Sequence, residues 1–162
     1  MRVYLPSTLT VLRTLLDTRT LGSALPGYAV TGALREWYAE GDQEELEYTA
    51  LSLAALASVR LLDADQDAVR RRVVVVADVP DSSVEPVPHV DRAAVRITVP
   101  VTWELVQAVH VDHPDAVADV TVAADSVVEA DLGSEDAAFR LEVGHELQWW
   151  ATQEIGPLLD LS

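Results

Sequence analysis

The chain has 162 residues, 49% of them hydrophobic, enough to close one core, so residues 1–162 are read as a single globular domain. Cysteine is absent, which excludes disulfides, thiolate-bound metals, iron–sulfur clusters and a thiol nucleophile. A net charge of −16, from 27 acids against 11 bases that are all arginine, excludes nucleic acid and anionic membranes as partners, because both demand cationic contacts to phosphate.

Residues 1–7 lack the apolar core of a secretory signal, and the longest mostly apolar stretch, 51–59, falls far short of the ~20 residues that span a bilayer. A soluble, cytoplasmic protein is expected. Residues 2–5 read as a first strand stopped by Pro6, with Ser7 as N-cap of a helix that carries Leu9, Leu12 and Leu16 and ends near Asp17. Residues 22–27 form a turn and 28–30 a second strand, an opening of the βαβ kind. Thr31 caps a short helix through Glu40, closed by Gly41. Asp42, with Glu45 three residues on, starts a second helix to about Leu62. Its leucines cover two faces, which predicts burial on most sides.

Residues 72–79 contain four consecutive valines, the pattern of a strand covered on both faces. The proline-rich stretch 80–89 is a loop, 94–99 a strand ended by Pro100, 103–107 one helical turn and 108–112 another strand. Pro114 opens a helix lined by Val117, Val120, Ala124 and Val127. Helix is favoured over strand for 134–143, and strand over helix for 146–154. The fold class is α+β, a mixed sheet of five or six strands with helices packed on it.

The densest polar chemistry is at residues 36–47, with six carboxylates and two aromatics around Gly41. Carboxylates in a first helical turn are stabilised by the helix dipole, so the cluster is first of all a helix–turn–helix corner. Glu36, Trp37 and Tyr38 are its interface candidates. A second candidate depends on topology. In an up-down-up meander of 73–79, 94–99 and 108–112, the carboxyl ends of the first and third strands share one edge. Asp78, Asp112 and His113 would there suit a divalent metal such as Zn, Mn or Fe. Asp81 or Glu36 would be the general base and Arg71 an anion clamp. The competing reading is that Asp112 or His113 simply caps the next helix, and alternation sends His110 and His113 to opposite faces.

Arg70, Arg71 and Arg72 form the only basic cluster, an anion-binding candidate or a guard at the mouth of a hydrophobic strand. His145-Glu146 shares only its first two residues with the zincin helix motif, because Trp149 stands where the second histidine belongs. On a strand, Trp149 and Trp150 face opposite sides, and an exposed tryptophan is a typical interface anchor. No Gly-x-Ser-x-Gly elbow, phosphate-binding loop or dinucleotide fingerprint occurs.

Three segments together carry a resemblance: Met1-Arg2-Val3-Tyr4-Leu5-Pro6-Ser7-Thr8-Leu9; Tyr28-Ala29-Val30-Thr31 on through Leu34-Arg35-Glu36-Trp37-Tyr38 to Glu44-Glu45-Leu46-Glu47-Tyr48; and His145-Glu146-Leu147 through Trp150-Ala151-Thr152-Gln153-Glu154-Ile155. Across essentially the whole chain they resemble a family of uncharacterised actinobacterial proteins, a domain of unknown function. The resemblance implies no activity, cofactor or catalytic residue. It agrees with a composition rich in Ala, Val, Asp and Arg and devoid of lysine, which reads as G+C-rich coding bias, with a halophilic source as the competing reading.

With no complete catalytic constellation, the leading expectation is a non-enzymatic binding or regulatory module without cofactor. It would act through a protein partner or a second copy of itself, using Glu36, Trp37, Tyr38, Trp149 or Trp150. The alternative is the metal-dependent hydrolase, or another small-molecule enzyme, at Asp78, Asp112 and His113.

Overall fold

β-Branched and aromatic residues are concentrated in β-strand segments such as 73–76 in the computed structural model, which describes residues 1–162. The strands are β1 (Arg2–Ser7), β2 (Thr20–Leu21), β3 (Leu25–Ala29), β4 (Val73–Asp78), β5 (Val84–Pro86), β6 (Ala94–Ile97), β7 (Val101–Thr102), β8 (Val106–Asp112) and β9 (Leu147–Ala151). Seven make one sheet in the order β5-β6-β3-β1-β4-β8-β9, while β2 and β7 pair separately. Every neighbouring pair is antiparallel. The sheet is therefore larger than the five or six strands expected, and it is not mixed.

The helices are α1 (Leu9–Thr18), α2 (Gly32–Trp37), α3 (Gln43–Ala64), α4 (Val117–Asp125), α5 (Val127–Asp131), α6 (Glu135–Arg140) and α7 (Ile155–Asp160). None is long and apolar enough to cross a membrane. Strand alternation divides the valines of β4 between two layers. Val73, Val75 and Ala77, with Val3 and Leu5, pack under α1 and α7 through Leu12, Leu15, Ile155 and Leu159. Val74 and Val76, with Tyr4, face Ala50, Ala54 and Ala55 of α3. Farther along α3, Val59 and Leu62 pack with Val120, Ala123, Ala124 and Val127. The double coverage expected of β4 is present.

Several local expectations hold. The Thr31 hydroxyl accepts from Leu34 N–H at 3.1 Å, and Asp42 Oδ1 accepts from Glu45 N–H at 2.9 Å to start α3. Residues 134–143 contain α6, and 146–154 contain β9.

Others are corrected. Pro6 does not stop β1, which runs on to Ser7 with Pro6 opposite Val74. The N-cap of α1 is Thr8, whose hydroxyl accepts from Val11 N–H at 3.2 Å. Ser7 instead gives its carbonyl to the Ser58 hydroxyl at 2.7 Å, and that hydroxyl also accepts from Val73 N–H at 3.1 Å, which pins α3 to the sheet. Pro26 and Gly27 lie within β3 rather than in a turn. A Cβ on Gly27 would stand 2.9 Å from Leu5 Cδ2, so glycine permits the close approach to β1. β1 and β3 pair antiparallel, so there is no βαβ crossover. α3 is not buried on most sides: Leu46, Ala50, Ala54, Ala55, Ser58, Val59 and Leu62 are buried, whereas Leu56 and Leu61 are exposed. Small side chains let the middle of the helix lie close on the sheet, while Leu56 and Leu61 face solvent.

The meander also fails. β6 pairs with β3, far from β4, and β4 and β8 are direct antiparallel neighbours. Their carboxyl ends therefore lie at opposite ends of the sheet.

Candidate functional site

α3 crosses the sheet over β1, β3 and β4 and leaves β8 and β9 uncovered beside its first three turns. The space between is a groove of about 510 Å³. Alternation sets its floor: Tyr4 on β1, Val76 on β4, and Ala108 and His110 on β8 all point to the α3 side. Glu44, Glu47, Tyr48 and Leu51 of α3 form one wall, and Trp149 of β9, directly opposite His110 in the strand pairing, forms the other. A β-bulge adds Gln107, because Val76 faces Ala108 while Ala77 faces Val106.

The polar groups of the groove differ in how far they are satisfied. Glu47 is held from both sides, by Arg2 Nη1 at 3.4 Å and Gln43 Nε2 at 2.9 Å. Burial, and then the negative charge of Glu47, push the Tyr4 phenol above its ordinary pKa. Tyr48 Oη donates to Glu146 Oε1 at 3.2 Å, tying α3 to the segment that enters β9. His110 is half-buried and its burial lowers the imidazole pKa, so the ring is neutral at pH 7. Its nitrogens take no partner from the chain, and the Glu44 carboxylate is exposed and unpaired. Trp149 is 60% exposed.

The groove unites residues that the sequence scatters. Glu44, Glu47 and Tyr48 come from the acidic corner, His110 from the strand candidate, and Trp149 from the segment after His145. Glu36, Trp37 and Tyr38 lie elsewhere, at the end of α2, where Arg92 stacks its guanidinium 3.5 Å from the centroid of the Trp37 ring. Trp150 turns to the opposite face and packs against the α1–α7 core, with its indole N–H buried and without an acceptor.

The remaining candidates are structural joints. Arg70 Nη1 donates to the carbonyls of Leu62 and Asp65 at 2.7 and 2.8 Å, capping the end of α3. Arg71 Nε donates to the Asp112 carbonyl at 2.8 Å and Nη1 to Ser162 Oγ at 3.0 Å; burial lowers its pKa. Arg72 forms a two-pronged pair with Asp112, Nε to Oδ2 and Nη2 to Oδ1, both at 2.8 Å. All three guanidinium groups are thus engaged within the chain, which leaves no anion clamp among them.

Asp112 is fully buried, whereas Asp78 sits opposite Arg2 at the other end of β4. At ~3.3 Å per strand residue the two carboxylates are on the order of 18 Å apart, so Asp78, Asp112 and His113 cannot share an ion. His113 is a cap, its Nδ1 accepting from Asp115 N–H at 3.0 Å. Asp81 Oδ1 pairs with the N-terminal ammonium at 2.8 Å.

Sequence reasoning missed Arg2, Tyr4 and Gln107 as groove residues. The first two sit on a strand whose two faces both looked structural, and the third is placed by a bulge. No curated protein and no solved structure matches the chain. A family of unknown function (DUF6912) matches residues 1–159, and the chain belongs to that family.

Proposed function

We propose that the protein is a non-enzymatic cytoplasmic binding module whose groove beside α3 takes a cationic side chain, arginine or lysine, from a protein partner. The observation that carries this reading is the meeting of an exposed indole, Trp149, with an unpaired carboxylate, Glu44, across one groove. An aromatic face attracts a cation by about 0.5–1 kcal/mol at an exposed site, and a carboxylate adds charge-assisted hydrogen bonds with direction. The neutral His110 ring contributes no competing positive charge and offers a nitrogen to a guanidinium. Glu47 already neutralises Arg2, the one cation in the groove. The net charge of −16 speeds the approach of a basic segment.

The test is an NMR titration of isotopically labelled protein with acetyl-Gly-Arg-Gly-amide, compared with acetyl-Gly-Glu-Gly-amide and sodium chloride at constant ionic strength. Saturable shifts confined to the Trp149 indole, Tyr48 and His110, seen only with the arginine peptide and lost in Glu44→Gln, are expected. Shifts spread evenly over the acidic surface, or reproduced by sodium chloride, would sink the reading.

A further inference from the structure

The two edges of the sheet are built differently. β5 is three residues long, ends in Pro86 and carries the Glu85–Arg96 ion pair, a blunted edge of the kind that resists strand addition. β9, Leu147-Gln148-Trp149-Trp150-Ala151, has no charge and no proline.

Its free main-chain groups follow from the hydrogen-bond alternation. Asp112 N–H donates to the Arg72 carbonyl, so that pair and every second one after it bond β8 to β4, and Val109 and Val111 turn towards β9. Their partners are Trp150 and Gln148, and the N–H and C=O groups of Leu147 and Trp149 point away from the sheet. Ala151 N–H also points outward, but it is taken by Glu154 Oε1 at 2.8 Å. The open edge is thus Leu147 and Trp149, closed at one end by Glu154.

We infer that β9 pairs with β9 of a second copy, antiparallel about a twofold axis through Gln148, joining two seven-stranded sheets into one. This register sets Leu147 opposite the other copy's Trp149 and uses all four free N–H and C=O groups of each chain without displacing Glu154. Leu147 and Trp149 lie on the α3 face, so the apolar pairs form there, and the register sets Glu146 of each chain opposite position 150 of the other, with the Glu146 carboxylate held by its own Tyr48. An edge that matches itself under twofold rotation is the isologous contact of a dimer. The twofold runs perpendicular to the sheet, so both grooves open on one side with a Trp149 from each copy between them. The pairing stands whatever the grooves bind.

Mutual repulsion of two chains at −16 makes the dimer stronger in salt, the opposite of the salt response of a bound cationic peptide. The test is sedimentation of the full chain at 0.15 and 1 M sodium chloride, together with oxidative crosslinking of Gln148→Cys. The chain has no cysteine of its own. In a non-hydrogen-bonded antiparallel pair, Cα atoms lie ~4.5 Å apart, within disulfide reach. The expected results are a mass of about 35 kDa, twice 17.6 kDa, favoured by salt; disulfide dimers from Gln148→Cys at least tenfold faster than from the exposed control Val90→Cys; and a monomer for Trp149→Lys that keeps the native circular dichroism. A monomer at both salts with no faster crosslinking than the control overturns the pairing. So does a dimer that survives Trp149→Lys while Gln148→Cys fails to crosslink, because the contact would then lie elsewhere.

Discussion

Asp112 has no solvent exposure and accepts three hydrogen bonds from Arg72, one from the main chain and two from the guanidinium. Removing one partner of such a pair strands a buried charge, at a cost of ~3–5 kcal/mol. Asp112→Ala is therefore expected to lower the urea-unfolding free energy by about that amount. A loss under ~1 kcal/mol would mean that the pair behaves like an exposed one. His110 sets a different dependence. Burial depresses its folded-state pKa below the unfolded value of ~6.5, so the unfolded chain binds the proton more readily. The stability it secures is complete above about pH 6.5 and is lost as the pH falls through the folded-state pKa. Stability measured from about pH 7 to about pH 5 is expected to decline less steeply in His110→Gln than in the native protein, and identical slopes would refute the assignment.

α3 shows how an element can be legible in its limits and illegible in its packing. Asp42 and the downstream alternation of Leu and Ala gave its start and length, because capping is local. Leucine spacing marks only part of its contact face: Leu46, Val59 and Leu62 are buried at its two ends, but the middle of the helix meets the sheet through alanine. Here the sheet comes close to Ala50, Ala54 and Ala55, and Leu56 is 37% exposed. Ala54→Leu is expected to destabilise by ~1–3 kcal/mol through overpacking against Tyr4 and Val74. Leu56→Ala should cost less, about 1 kcal/mol or under, because over a third of the side chain is already in solvent. Thermal or urea unfolding of the two variants decides, and the reverse order would make Leu56 rather than Ala54 the contact. β5 and the extension of β1 through Pro6 were missed for the complementary reason, that proline signals an ending to local rules while a strand tolerates it where the ladder needs no donor.

At the scale of the molecule, α+β was readable from the alternation of patterns along the chain, but strand order was not. Nothing local to β4 distinguishes β6 from β8 as its neighbour, since both are short, apolar and β-branched. The groove inherits that difficulty. His110 and Trp149 each stood out in the sequence, yet only the β8–β9 register sets them face to face, and only the path of α3 brings Glu44 and Tyr48 to the same place. The metal trio failed on the same point, because it required β4 and β8 to run parallel.

The strand order also bears on how the protein is made. β1 comes from the first residues of the chain and lies inside the sheet, with β3 and then β4 joining its two sides. β6 with β5, and then β8 and β9, extend those flanks outward in the order of synthesis. No strand has to be threaded between two that are already paired, so the sheet can grow stepwise as the polypeptide leaves the ribosome. A nascent chain halted before residue 147 would present the outward N–H and C=O groups of Val109 and Val111 in place of the native edge, a longer valine-rich template for aggregation. β9 is thus the step that ends the exposure.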